Sequence, residues 1–263
     1  METIRFDVAA GVATITLDRP QQKNAINGAM TGELAEAVAT VRDDDNIRAL
    51  VITGAAGAFC AGGDIKAMLA NRDDPAARQA RMRFHHRWLE QLVHLDKPVI
   101  AAVDGAAFGA GFGLALAADL VIASTRAKFS MAFMKIGLVP DFGALYTLPR
   151  IVGLQRAKEI IYSARTVAAD EAVSLGIALE AVEAEALPDR ARAIATSLAA
   201  ASPTAFMLSK RALNVSQLND FRTMLDMELT SQSVAFATPE HGDAVDAFLD
   251  KRPPAFEWPA RED

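Results

Sequence analysis

Apolar and polar residues alternate over residues 3–9 and again over 12–18, on either side of Ala10-Gly11. A period of two around a glycine turn predicts a β-hairpin, which Arg19-Pro20 ends. The period then lengthens. Met30, Leu34, Val38 and Val41 fall on one stripe of a helix over 28–42. The acidic run Asp43-Asp44-Asp45 reads as a solvated turn. Residues 48–53 are a short β-branched run, hence a buried strand, and lead into a loop over 54–63 with four glycines. A long helix is expected over 74–95, before Lys97-Pro98. Residues 99–103 and 120–124 read as further buried strands. Between them lie the glycine-rich run 105–113 and an apolar helix over 114–118. From Gly143 onward helical spacing dominates, punctuated by Pro149, Gly153, Gly176, Pro188, Pro203 and Pro239. Strand and helix alternate first and helices follow, so an α/β core with an α-helical C-terminal part is expected. The division falls at 1–200 and 201–263.

Composition narrows the function classes. The chain has 263 residues, 51% of them hydrophobic but only 6% aromatic, so its core is built from small aliphatic side chains. The net charge of −6 argues against a nucleic-acid partner. No apolar run approaches the ~20 residues of a membrane helix, so no membrane partner is expected. One cysteine, Cys60, excludes a disulfide framework and suits a reducing compartment. With no secretory pattern in the opening residues, a cytoplasmic location is expected.

The chemistry centres on the two glycine loops. Each leaves a buried strand and enters a helix, which converges backbone N–H groups on one spot. Tight packing of small residues is the plainer reading of either loop alone; two in one domain point to an anion or oxyanion site. A dinucleotide fingerprint fails: after Gly109 and Gly111, Leu114 stands where the third glycine belongs. There is no phosphate-binding G-x-x-x-x-G-K-[ST] loop, no G-x-S-x-G nucleophile elbow and no zinc spacing, so no metal is expected.

Four segments together resemble the crotonase (enoyl-CoA hydratase/isomerase) superfamily: AFCAGGDIKAM over 58–68, KPVIAAVDGAAFGAGFGLALAAD over 97–119, AKFSMAFMKIGLVPD over 127–141 and FLDKRPPAF over 248–256. The resemblance spans nearly the whole chain. It implies a spiral of ββα units with a helical C-terminal trimerisation region, assembled as a homotrimer or a dimer of trimers. The ligand it implies is an acyl-CoA thioester, with coenzyme A entering as part of the substrate and no separate cofactor. Carried over by residue, the oxyanion N–H groups belong to Gly63 and Ala110. Ala61, Gly62, Asp64, Ile65, Lys66 and Phe133 border the substrate. Lys251 approaches the nucleotide end, from a neighbouring subunit in one arrangement; for Lys66 and Lys251 simple surface solvation is the alternative.

The resemblance also exposes a departure. Hydratases of the family place two glutamates around one water. Here Gly113 and Phe133 stand at those positions, and neither can transfer a proton. One carboxylate remains: Asp141, at a position where several isomerases of the family, the ring-enoyl isomerases of phenylacetate catabolism among them, carry a catalytic Asp. MAFMKIGLVPD over 131–141 is most similar to that group. Phe108, Phe112, Phe133 and Phe142 are candidates for an apolar wall that raises the pKa of Asp141. An enoyl-CoA isomerase with Asp141 as base is therefore the leading expectation. The alternatives are a hydratase of unusual arrangement, an aryl-CoA dehalogenase or thioester hydrolase using Asp141 with His86, and a catalytically inactive acyl-CoA-binding homologue.

Overall fold

The structure, a computed structural model, describes residues 1–69 and 74–260. The predicted hairpin forms as β1 (Ile4–Ala9) and β2 (Val12–Leu17), antiparallel, with Ala10 and Gly11 both at positive φ in the turn. Glu33 fastens its first strand: its carboxylate accepts hydrogen bonds from the Glu2, Thr3 and Ile4 N–H groups and from the Thr3 hydroxyl. The Asn27 side chain caps α1 (Gly28–Asp43) by accepting from the Met30 N–H. The helix buries the expected stripe of Met30, Leu34, Val38 and Val41.

The strands β3 (Ala49–Gly54), β4 (Val99–Val103), β6 (Leu120–Ser124) and β9 (Glu180–Val182) continue the sheet in parallel, in the order β1-β2-β3-β4-β6-β9. A second, three-stranded sheet is made of β5 (Ala106–Phe108), β7 (Lys128–Ser130) and β8 (Val167–Ala168). Isolated bridges extend it, pairing Cys60 with Ala107 and Gly63 with Ile26. The chain thus repeats one move: a strand in the large sheet, a short pairing in the small one, then a helix. It is made after β3 with α2 (Ile65–Leu69) and α3 (Pro75–Val93), and after β4 with α4 (Ala110–Leu116). A third repetition after β6 ends in a 3₁₀ turn (Ala132–Ile136). This is the expected ββα spiral.

The remaining helices are α5 (Ala144–Val152), α6 (Leu154–Ser163), α7 (Ala169–Ser174), α8 (Leu187–Ala200), α9 (Pro203–Val215), α10 (Phe221–Phe236) and α11 (Pro239–Leu249). The main core fills the space between the two sheets and α1, α3 and α4. On the far face of the large sheet, Leu187, Ala191, Ile194 and Ala195 of α8 cover Val51, Ile100, Ala102 and Ile122. Helix α9 is anchored by charge. Lys210, 7% exposed, donates to the Asp119 carboxylate at 2.8 Å, and that carboxylate also accepts from the Val99 N–H. Burial raises the pKa of Asp119, against the charge and hydrogen bond of Lys210. Among the described residues no helix is long and apolar enough to cross a membrane.

Two local expectations are corrected. The apolar helix after the second glycine loop begins at Ala110, four residues before the predicted start at Leu114. Residues 106–108, inside the expected glycine-rich run, form a strand.

Candidate active site

Both glycine loops are shaped by close approach of backbone to backbone. A Cβ on Gly111 would lie 2.4 Å from the Cys60 carbonyl oxygen. One on Gly62, whose φ is +102°, would lie 2.8 Å from the Phe108 carbonyl oxygen and 3.7 Å from the Ala110 nitrogen. Only glycine lets the loops touch in this way. Cys60 holds the first loop in place: its buried sulfur accepts from the Gly62 N–H at 3.4 Å. Burial pushes its thiol up to about 12, partly offset by that hydrogen bond, which makes it an inert structural group.

The bridge to Ile26 uses the carbonyl of Gly62 and the N–H of Asp64, and leaves the N–H of Gly63 without a backbone acceptor among the described residues. Ala110 opens α4, so its N–H belongs to the first turn, where the helix offers no acceptor. Gly63 and Ala110 line one cleft with Asp141. The two residues whose N–H groups the resemblance names and the one candidate carboxylate thus line the same cleft.

Asp141 sits in a turn bent by two successive left-handed residues, Phe142 at φ +51° and Gly143 at φ +73°. The Asp141 carbonyl accepts from the Ala144 N–H and so starts α5. A phenylalanine at positive φ is uncommon and is held only by strong surrounding contacts. Here Phe142 is 3% exposed, with ring centroids 5.2 Å from His85 and 5.8 Å from Trp88. Gly113 makes room for the turn. A Cβ there would meet the Phe142 Cβ at 2.6 Å and the carbonyl oxygens of Asp141 and Phe142 at 3.1 Å. The Asp141 Oδ1 is buried without a hydrogen-bond partner. Burial raises its pKa from 3.8 to about 6, against the charge of Arg81 and the hydrogen bond from its own N–H.

The other expected residues separate into four groups. Asp64 reaches the cleft, but its carboxylate is engaged. It forms an ion pair with Arg19 at 3.0 Å and caps α2 through the Lys66 and Ala67 N–H groups. Burial opposes its charge, yet these partners hold its pKa below the usual value. Ala61 and Gly62 build the loop: Ala61 N–H donates to the Lys23 carbonyl, and Gly62 is buried. Ile65 and Lys66 are exposed on α2, and Lys251 is exposed in the turn after α11, with φ +56°. Phe133 is buried; a Cβ on Gly109 would touch its ring at 3.6 Å. Of the four phenylalanines, only Phe142 lines the cleft; Phe112 packs on Phe129 in the core.

His86 requires a correction. It is exposed and does not line the cleft; His85 does, at 8% exposure, with an unpartnered Nδ1. Burial lowers its pKa to about 4, with Arg81 and His86 adding to the effect, so the imidazole is neutral at physiological pH. The signal was present in the helical spacing: His85, Trp88, Leu89 and Leu92 are the buried positions of α3. Met68 also escaped the sequence reading. A Cβ on Gly63 would lie 2.1 Å from its terminal methyl, so this flexible side chain lies against the loop and narrows the cleft.

Residues 7–259 match the family model described as enoyl-CoA hydratase/isomerase. The chain is 40% identical to a 1,2-epoxyphenylacetyl-CoA isomerase of Escherichia coli, over 97% of this chain and 98% of the relative. It is also 40% identical to a probable enoyl-CoA hydratase of Rhodobacter capsulatus, over 97% of each chain. The solved enoyl-CoA hydratase/isomerase of Cupriavidus metallidurans superposes with a TM-score of 0.94 at 48% identity, covering 100% of this chain and 99% of that one. The chain belongs to the enoyl-CoA hydratase/isomerase family.

Proposed function

We propose that the protein is an acyl-CoA isomerase that shifts a double bond through a thioester enolate, with Asp141 as its single proton-shuttling base. One observation carries the reading: a half-buried carboxyl, its Oδ1 without a hydrogen-bond partner and its pKa raised to about 6, lines one cleft with Gly63 and Ala110, whose backbone N–H groups have no acceptor among the described residues. Asp141 takes a proton from carbon; the electron pair moves into the thioester, and its oxygen becomes anionic between the Gly63 and Ala110 N–H groups. The same carboxyl returns the proton to a carbon farther along the chain. Fixed donors of this kind are worth about 10²–10³ in rate each, and a positioned acid–base about 10²–10⁴. The chemistry asks for no resident cofactor.

Hydration is the second reading, favoured by the likeness to the Rhodobacter relative. Against it, Gly113 has no space for a glutamate while the Asp141–Phe142 turn packs there. Pairing Asp141 with His86 for nucleophilic displacement or thioester hydrolysis loses its support, because His86 lies outside the cleft. Incubation with straight-chain and ring-derived enoyl-CoAs in D₂O separates the rest. Deuterium uptake or bond migration without water addition, abolished in Asp141→Asn, is expected. Water addition, or full activity of Asp141→Asn, overturns the isomerase reading. Thioester binding without any turnover would assign an inactive homologue.

The same reading includes a homotrimer or dimer of trimers. Helix α10 buries none of its residues, and Phe221, Leu229, Phe236, Phe248 and Leu249 are 65–83% exposed. So many large apolar side chains exposed on two neighbouring helices are what an interface would cover. Light scattering of the purified chain is expected to give about three or six times 28.0 kDa, and a monomer overturns the assembly.

A further inference from the structure

We propose that Arg19 is a positioning residue of the oxyanion site: it orients and polarises the Gly63 N–H from a distance, through a run of two peptide groups. The inference rests on the acyl-CoA reading above and deepens it, by naming what stands behind one of the two donors.

The argument starts from the planarity of the peptide. In a trans amide the C=O and the N–H lie in one plane and point in opposite directions. The direction of the Gly63 N–H is therefore set by the Gly62 carbonyl, which accepts from the Ile26 N–H at 2.8 Å. The Ile26 N–H is in turn the opposite end of the Ala25 carbonyl, and that carbonyl accepts from Nη1 of Arg19. The guanidinium, the Ala25–Ile26 amide and the Gly62–Gly63 amide thus stand head to tail. The run ends at the Gly63 N–H, which has no backbone acceptor among the described residues. The second donor is backed differently: the Gly109 carbonyl on the Ala110 peptide accepts the Gly113 N–H at 3.1 Å, inside α4.

The local fold holds Arg19 at the head of this run. Its N–H donates to the Asn24 side chain at 2.9 Å, and its carbonyl accepts from the Gln22 and Asn24 N–H groups. The turn passes through Lys23 and Asn24 at positive φ, and the buried Asn24 amide donates to the Ala55 and Ala58 carbonyls. Nη2 of Arg19 pairs with Asp64 at 3.0 Å, the two side chains being 16% and 14% exposed. Asp64 tempers the charge but engages Nη2 and leaves Nη1 to Ala25. A guanidinium stays charged at any physiological pH, and a charged donor makes a hydrogen bond roughly twice as strong as a neutral one. Bonds in series strengthen one another by about 10–30% each. Applied to an oxyanion donor worth about 10²–10³ in rate, that gain multiplies the rate by about two to eight.

Infrared difference spectroscopy of bound hexanoyl-CoA, isotope-labelled at the thioester carbonyl, reads the donors without any turnover, because a hydrogen-bonded carbonyl stretches at lower frequency. The wild type is expected to lower the frequency relative to the free thioester. Arg19→Gln keeps a neutral donor and is expected to lose about 10–30% of that shift. On an enoyl-CoA that turns over, it is expected to lose about two- to eightfold in kcat with KM held within about twofold. Arg19→Lys keeps the charge and is expected to restore most of both. A full wild-type shift in Arg19→Gln overturns the proposal, and so do Gln and Lys variants that shift the carbonyl equally, which would give Arg19 a structural role alone. If neither variant folds, Asp64→Asn decides. Removing the counter-charge is expected to lower the frequency beyond the wild type, opposite in sign to a loosened loop, and an unchanged or higher frequency overturns the proposal. A wild type that binds the thioester without any shift overturns the oxyanion reading itself, and this proposal with it.

Discussion

Replacing Asp141 with Asn separates what the carboxyl costs the fold from what it does. Burial lifts its pKa from 3.8 to about 6, against the opposing charge of Arg81. At about 1.36 kcal/mol per pH unit, the folded chain carries the ionised form at a penalty of at most about 3 kcal/mol. Solvent at the rim of the cleft screens the group and trims this to about 1–2 kcal/mol. The sign follows from proton binding. Between pH 4 and 6, roughly, the folded state holds the proton more tightly than the unfolded chain, so stability falls as pH rises through that window. Below it the carboxyl is neutral in both states and no penalty exists; above it the full penalty persists. Asn carries no such proton. Asp141→Asn is therefore expected to melt with the wild type near pH 4 and above it by about 2–8 °C at pH 8, taking 2–4 °C per kcal/mol for a chain of this size. Calorimetry across pH at fixed protein concentration measures the gap. A gap that does not change with pH, or a variant less stable at pH 8, refutes the reasoning.

Other substitutions probe the scaffold. Gly113→Ala drives a methyl to 2.6 Å from the Phe142 Cβ; a loss of about 1–3 kcal/mol is expected by denaturant titration, with kcat falling more than KM as Asp141 is displaced. Lys210→Ala strips the buried Asp119 of its cation and is expected to cost about 3–5 kcal/mol, whereas replacing both, as Asp119→Asn with Lys210→Met, recovers most of it in the same titration. The Cys60 thiol, pushed up to about 12 by burial, is expected to react with a disulfide reagent only after unfolding; rapid labelling of the native protein would contradict its buried placement.

The sequence was most legible where one periodicity acts over many residues. The hairpin, α1 and α3 follow their stripes because burial of one face determines each of them. It was least legible where tertiary contact overrides local preference. Glycines at 111 and 113 argue against a helix, yet α4 begins ahead of both. They are glycines because Cys60 and Phe142 lie where side chains would go. Strands β5 and β7 are three residues each, too short for alternation to register. At the site, motif matching singled out Gly63, Ala110 and Asp141, which line one cleft. It favoured His86 over His85, whereas helix periodicity alone shows His85 to be the buried one of the two. Met68 touches the oxyanion loop only through a flexible side chain, for which no motif speaks.

The ion pair between Asp119 and Lys210 sets a timetable for synthesis. The two residues lie 91 positions apart. At about 5–20 residues per second, a ribosome needs roughly 5–18 s to travel from one to the other. Throughout that interval the parallel strands β3 and β4 are already made, and β6 follows at once, while the aspartate beside them awaits its counter-charge. A nascent chain that packs its sheet early must either keep Asp119 wet or protonate it, so final closure of the core waits for α9 to leave the exit tunnel. Premature termination before residue 210 would release a chain with most of its strands and an uncompensated acid at the heart of them, a natural substrate for chaperones and proteases.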